Sequence, residues 1–145
     1  FMTEALQVRS GDRVLEVGTG SGYQTAVLAQ LAALVFTVER IGKLQRKART
    51  VLEDIAMDNV LFRVGDGSCG WPERAPYDRI LVSAGAPDVP ETLKEQLSSD
   101  GGRMVVPVGG EDLQELIVVT RIKDTFTSGS LIGCRFVPLV GDEGW

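Results

Sequence analysis

Two kinds of apolar pattern alternate along this chain. The segments 13–17, 34–38, 60–64, 79–83 and 103–108 are short, rich in Val, Ile, Leu and Phe, and apolar at successive positions. Strands covered on both faces of a parallel sheet read this way. Between them, apolar residues recur every three or four positions. Tyr23, Ala26, Val27, Leu28 and Leu31 predict a helix over 22–33 with Thr19 or Ser21 as its cap. Ile41, Leu44, Ala48, Val51, Leu52 and Ile55 predict a longer packing helix that stops before Asp58 and Asn59. Pro90 opens a short helix through Leu93 and Leu97, and Asp100, Gly101 and Gly102 break it. The opening stretch, with Met2, Ala5, Leu6 and Val8, reads as the second half of an amphipathic helix, so the chain is expected to begin inside an element.

The pattern changes after residue 108. Only Gly109 to Leu113 separate the fifth strand from the alternating run Gln114 to Ile122, too short a link for a parallel crossover. The sixth strand is therefore expected to lie antiparallel beside the fifth. A turn at Thr127 to Gly129 would return a seventh strand, Leu131 to Val137. With right-handed crossovers in the first part, the expected architecture is one three-layer α/β/α domain over 1–145. Its Rossmann-like, seven-stranded, mostly parallel sheet has the order 3-2-1-4-5-6-7 with strand 6 antiparallel.

Candidate chemistry gathers at the ends of these strands. The first strand runs directly into Gly18, Gly20 and Gly22 and then a helix start, a geometry that turns backbone N–H groups toward a ligand. The spacing is G-x-G-x-G. A dinucleotide fingerprint needs a third glycine where Tyr23 stands, which disfavours a nicotinamide enzyme. Glu39 ends the second strand about twenty residues further on, where a nucleotide fold places an acid for ribose hydroxyls. Gly65, Asp66 and Gly67 end the third strand, and Asp66 is read as a second ligand contact, with capping of its own loop as the alternative. Glu91, Glu95, Glu111, Asp112 and Glu115 are read as solvated.

Composition narrows the chemistry. The chain has 145 residues, a net charge of −5, 2 cysteines and 0 histidines. Without imidazole there is no Ser-His-Asp or Cys-His nucleophile and no usual zinc site, and no metal is expected. Cys69 and Cys134 are too few for a disulfide framework. The basic residues Arg46, Lys47 and Arg49 form a solvated helix face rather than a nucleic-acid footprint, and no apolar run approaches a bilayer span. With no targeting signal visible, a cytoplasmic protein that binds neither nucleic acid nor membrane is expected.

VLEVGTGSGYQTAVLAQL, the pair Glu39-Arg40, GDGSCGWPERAPYDRILVSAGAP, GGRMVVPVG and the closing FVPLVGDEGW together resemble the protein-L-isoaspartate O-methyltransferases over essentially the whole chain. Many S-adenosylmethionine enzymes share the glycine turn, but few share the GDG-x-x-G-W-P loop, the PVG strand end and the FVPL tail. The resemblance implies methyl transfer from S-adenosylmethionine to the free carboxylate of L-isoaspartyl and D-aspartyl residues in damaged proteins, which initiates their repair. It implies that Gly18, Thr19, Gly20, Ser21 and Gly22 cradle the methionine end of the cofactor, with Glu16 placing its ammonium group or ordering the turn. It further implies that Glu39 takes the ribose hydroxyls, that Arg40 lines the same edge, and that Asp66 and Gly67 meet the adenine. Ser83 to Pro87, with Ala84 and Ala86, and Val137 to Leu139 would face the substrate. The family's S-x-P hydroxyl lies before the first motif, so the resemblance assigns no catalytic residue here and implies an N-terminal segment upstream of Phe1. A small-molecule methyltransferase, or a cofactor-binding module without activity, are the alternatives on the same scaffold.

Overall fold

The computed structural model describes residues 1–145. In chain order the elements are α1 (Met2–Leu6), β1 (Arg13–Val17), α2 (Tyr23–Leu31), β2 (Leu34–Glu39), α3 (Gly42–Asp54), β3 (Val60–Val64), β4 (Arg79–Val82), α4 (Glu91–Glu95), β5 (Asp100–Gly109), β6 (Gln114–Ile122) and β7 (Thr125–Cys134). Two short 3-10 turns, Gly67–Cys69 and Pro72–Arg74, sit between β3 and β4. All seven strands form one sheet in the order β3-β2-β1-β4-β5-β6-β7. The first five run parallel to one another, and β6 is antiparallel to both β5 and β7. The expected topology is therefore observed.

Side chains of the central strands divide by parity between two cores, because successive residues of a strand point to opposite faces. Val14, Val35, Leu81, Val105 and Val118 pack against Leu6 of α1 and against Leu28 and Ala29 of α2. Leu15, Val17, Phe36, Ile80, Val82, Met104 and Val119 pack against Tyr77, Leu93 and Leu97 on the other side. That second layer is thin, built from the single-turn α4 and the loops around Trp71, whose ring meets Phe36 edge-on at 5.7 Å. α3 joins the first layer: the position of a Cβ on Gly22 lies 3.2 Å from Ala48 Cβ, so the start of α2 and the middle of α3 touch.

α1 is only five residues long and is held from below. Arg79 and Arg103, aligned on β4 and β5, donate to the carbonyls of Gln7 and Ala5 at its C-terminal end. Arg79 also approaches the Asp12 carboxylate at 3.8 Å, both side chains being largely buried.

Four local expectations are corrected. Thr127 to Gly129 do not turn. They lie inside β7, and the chain reverses at Lys123-Asp124, with Lys123 at φ 54° and Ile122 paired to Thr125. Thr, Ser and Gly suggested a loop, but on an edge strand their polarity is simply solvent-facing. Val137 lies outside β7, in a segment that leaves the sheet after Cys134. Thr19 does not cap α2, because it turns into the interior; the N-cap position is Gly22, and the neighbouring Ser21 hydroxyl accepts the Tyr23 N–H at 3.4 Å. Tyr23, read as part of the apolar face of α2, is 76% exposed.

Candidate active site

The site is a cleft of about 250 Å³ outside the carboxyl ends of β1, β2, β3 and β4. Ligands of open α/β sheets bind at such edges because helix starts and glycine turns leave backbone donors free there. Val17, Gly18 and Gly20 form its floor; Val38, Glu39, Arg40, Ile41 and Leu44 form one wall. Gly67, Ser83 and Ala84 close the back, and Val137, Pro138, Leu139 and Val140 form the opposite wall.

The glycine turn needs its glycines for their backbone conformation. Gly18 and Gly20 have φ of 99° and 53°, values L side chains rarely adopt. Space is not the reason: Ser83 Cβ would stand in ordinary contact, 3.6 Å from a Cβ on Gly18. Glu39 clamps this turn to the end of β2: its Oε1 accepts the Gly20 N–H at 2.9 Å and its Oε2 accepts the Ile41 N–H at 3.0 Å. Each oxygen keeps a lone pair for a further donor. The carboxylate is only 8% exposed yet lines the cleft, so it can offer charge-assisted acceptance to hydroxyls of a bound molecule.

Glu16 sits beneath the turn and does not reach the cleft. It is wholly buried on the α2 face of β1, where its Oε1 accepts from the hydroxyls of Thr25 and Thr37. Thr37 spends its single proton on Glu16, so the 2.6 Å contact between Thr19 and Thr37 is a bond donated by Thr19. Glu16 Oε2 has no partner. Burial without a cation pushes the carboxyl pKa up to about 7, against the lowering effect of the two threonine bonds and with a small further push from Glu39.

Asp66 stands next to Gly67 at the edge of the cleft and is bonded within its own loop. Its Oδ1 accepts from the Ser68 N–H and hydroxyl, and its Oδ2 accepts from the Asp142 N–H at 2.9 Å and from the Cys69 thiol. Burial alone would raise its pKa, but these donors outweigh burial and hold the carboxyl below the usual range. Burial, together with the same carboxylate, pushes the Cys69 thiol up, which leaves it a poor nucleophile.

The structure thus brings together Gly18, Gly20, Glu39, Arg40, Gly67, Ser83, Ala84, Val137 and Leu139. Glu16 and Thr19 lie under the turn, Gly22 packs on α3, and Ser21 stays on the exposed side of the loop. Ala86 is buried in a bridge with Val108, and Asp66 bonds its own loop and the C-terminal segment. Ile41 and Leu44, read as packing residues of α3, are 42% and 39% exposed and form an apolar shelf beside Glu39. Their position directly after the strand-end acid was the available signal. Thr37 carried none, since a lone threonine in a strand is unremarkable.

Strand order, glycine turn and strand-end acid define the Rossmann-like fold of S-adenosylmethionine-dependent methyltransferases. Sequence comparison goes further: residues 1–144 match the family profile described as protein-L-isoaspartate(D-aspartate) O-methyltransferase. The chain is 54% identical over 145 residues to a protein-L-isoaspartate O-methyltransferase of Dictyoglomus thermophilum, covering all of this chain and 66% of that protein. It is 54% identical to the enzyme of the same name from Trichlorobacter lovleyi, covering all of this chain and 67% of that one. A solved protein-L-isoaspartate O-methyltransferase superposes with a TM-score of 0.89 at 33% identity, over 99% of this chain and 46% of its own. This chain belongs to the protein-L-isoaspartate O-methyltransferase family. It spans about two thirds of the length of the curated relatives it matches.

Proposed function

We propose that this chain is the S-adenosylmethionine-binding domain of an enzyme that methylates the free carboxylate of isoaspartyl and D-aspartyl residues in damaged proteins. The observation that carries the reading is the cleft itself, in a chain of this family. A positive-φ glycine turn is clamped by Glu39, with an apolar shelf on one side and a second wall of Val137 to Val140 on the other. The donor set suits an adenosyl group. Gly18 and Gly20 leave backbone room, the Glu39 carboxylate suits two adjacent hydroxyls, and Ile41 and Leu44 offer a flat apolar surface for a base.

The cofactor supplies an electrophilic methyl group on a sulfonium. An aspartyl-type carboxyl with a reference pKa near ~3.9 is ionised at neutral pH, so its oxygen can accept that methyl with no base from the protein. A chain without histidine is consistent with such chemistry. The work left to these residues is alignment of the two reactants and exclusion of water. Ser83 and Ala84, at the end of β4, and Val137 and Leu139 line the cleft and are read as the walls that face the substrate. Glu39 holds the glycine turn so that the reactants meet in line.

The test is methyl transfer from labelled S-adenosylmethionine to a peptide carrying isoaspartate, beside the same peptide carrying aspartate. The expected result is incorporation into the isoaspartyl peptide only. Incorporation into small carboxylic acids with no isoaspartyl preference would favour a small-molecule enzyme. Glu39→Gln should weaken S-adenosylhomocysteine binding by about 1.5 to 3 kcal/mol, the range for bonds to a charged group. Calorimetry that showed unchanged affinity would remove Glu39 from the site.

A further inference from the structure

Beneath the glycine turn, the core on the α2 side ends in a cluster of hydroxyls. Val14 of β1 and Val35 of β2 pack against α1 and α2; two residues on, the same face of these strands carries Glu16 and Thr37, which are register partners. Thr37 is wholly buried. Its hydroxyl accepts from Thr19 of the turn at 2.6 Å and donates to Glu16 Oε1 at 2.7 Å, and that oxygen also accepts from Thr25 of α2. A single hydroxyl thus joins the turn to β1, β2 and α2. Thr37 does not line the cleft, but the next two residues of β2, Val38 and Glu39, do.

The turn needs such a hold. Glycine has the most backbone freedom to lose on ordering, and in Gly18–Gly22 glycines alternate with only two side chains. Ser21 is exposed and bonds only the Tyr23 N–H beside it. Thr19, buried, is the side chain that ties the turn to another element. Glu39 takes the Gly20 N–H at 2.9 Å from the cleft side, and Thr37 takes the Thr19 hydroxyl from the interior. Packing alone does not call for a hydroxyl at position 37. Valine has the shape of threonine, and a buried hydroxyl is unfavourable unless it is hydrogen-bonded.

We propose that Thr37 is a positioning residue for the cofactor site: it holds Thr19 from below, opposite Glu39, and so sets the shape of the Gly18–Gly22 turn before a ligand arrives. This rests on the adenosyl reading of the cleft given above. A ligand that meets a preset turn does not have to order it, so that ordering entropy is not subtracted from its affinity. Without the Thr37 hydroxyl, Thr19 loses its acceptor and the turn samples more conformations. Affinity then falls by the fraction of chains whose turn is competent.

Calorimetry and hydrogen exchange on the intact chain test this, with S-adenosylhomocysteine as probe. Two variants separate the hydroxyl from the shape: Thr37→Val keeps the shape and removes the hydroxyl, whereas Thr37→Ser keeps the hydroxyl and removes a methyl. Thr37→Val should bind about five- to tenfold more weakly, the size of one net hydrogen bond. It should also speed exchange of the Gly18, Gly20 and Gly22 amides, which are bonded to Val38 O, the Glu39 carboxylate and Thr19 O, and leave protection of β4 and β5 unchanged. Thr37→Ser should retain the parent's affinity and its protection at the turn. Parent-like binding in Thr37→Val, or equal weakening in both variants, would overturn the proposal. So would loss of protection across β4 and β5 in Thr37→Val, the mark of a general loss of stability. If Thr37→Val does not fold, Thr19→Ala and Thr19→Ser, which break and keep the same bond from the turn, decide by the same readouts. A parent that binds no S-adenosylhomocysteine refutes the adenosyl reading. The hold on the turn is then judged on ligand-free exchange of Gly20 and Gly22, where faster exchange in Thr37→Val than in Thr37→Ser supports it and equal rates overturn it.

Discussion

Glu16 is the residue whose setting departs furthest from its chemistry in water. A wholly buried carboxyl with one oxygen bonded and the other unpartnered is cheaper to keep protonated than ionised. Its carboxyl pKa, pushed up to about 7 by burial, lies above the ordinary value of 4.5. The folded chain therefore binds this proton more tightly than the unfolded one. Its contribution to stability is fully present below the unfolded value and is lost as pH rises through the folded one. Between pH 5 and pH 8 the parent should lose roughly 2 to 3 kcal/mol from this group, at ~1.4 kcal/mol for each tenfold difference in proton affinity between the folded and unfolded chain. Glu16→Gln keeps the acceptor oxygen for Thr25 and Thr37 and removes the titration. Urea denaturation at both pH values is expected to show the variant gaining on the parent as pH rises, and a pH-independent difference would show that Glu16 is ionised throughout.

Among the elements, the β6–β7 hairpin shows how local conformation and side-chain identity can disagree. Its two-residue turn places Lys123 at φ 54°, where a Cβ is crowded. The Lys123 side chain is exposed, while its backbone N–H and carbonyl do the holding, bonded to Ser99 O and to the Arg121 side chain. Lys123→Gly retains both backbone bonds and relieves the crowding, worth about 1 kcal/mol in the left-handed region. A higher melting temperature is expected. A lower one would mean that the entropy glycine adds to the unfolded chain outweighs the relief. The same hairpin explains why its boundaries were hard to read. Lys-Asp carries no glycine signal, whereas Thr127-Ser128-Gly129 carries a false one that the unpaired edge of the sheet tolerates.

For the whole molecule, the two cores share the strands β1, β2, β4, β5 and β6 rather than occupying separate parts of the chain. One face cannot come apart without stripping the other, so unfolding is expected to be a single transition. Leu81 lies at 0% exposure on the central strand β4 and belongs to the core on the α1–α2 face. Leu81→Ala should cost about 2 to 5 kcal/mol. It should also shift far-ultraviolet circular dichroism and the fluorescence of Trp71, which lies on the opposite face, to the same new midpoint. Separated midpoints would show two independently stable layers.

The amino-acid sequence by itself determined the strands, their order and the carboxyl-edge location of the site. Apolar runs covered on both faces, helical spacing between them and the short link 109–113 leave few other topologies. The five parallel strands of the pattern began where expected, apart from β5, which starts earlier at Asp100. Gly18, Gly20 and Glu39 were legible for the same reason: a strand end followed by glycine, or by an acid at nucleotide spacing, is a local signal. What only the tertiary structure decided is where polar groups point once several strand ends converge. Glu16 and Thr19 turned inward to share hydroxyls with Thr25 and Thr37, and the Asp66 carboxylate took up the Asp142 N–H, 76 residues away. Hydrogen-bond partners so distant in sequence leave no periodicity to read. A carboxylate takes whichever donors the fold brings within reach, and those are known only when the strands are in register.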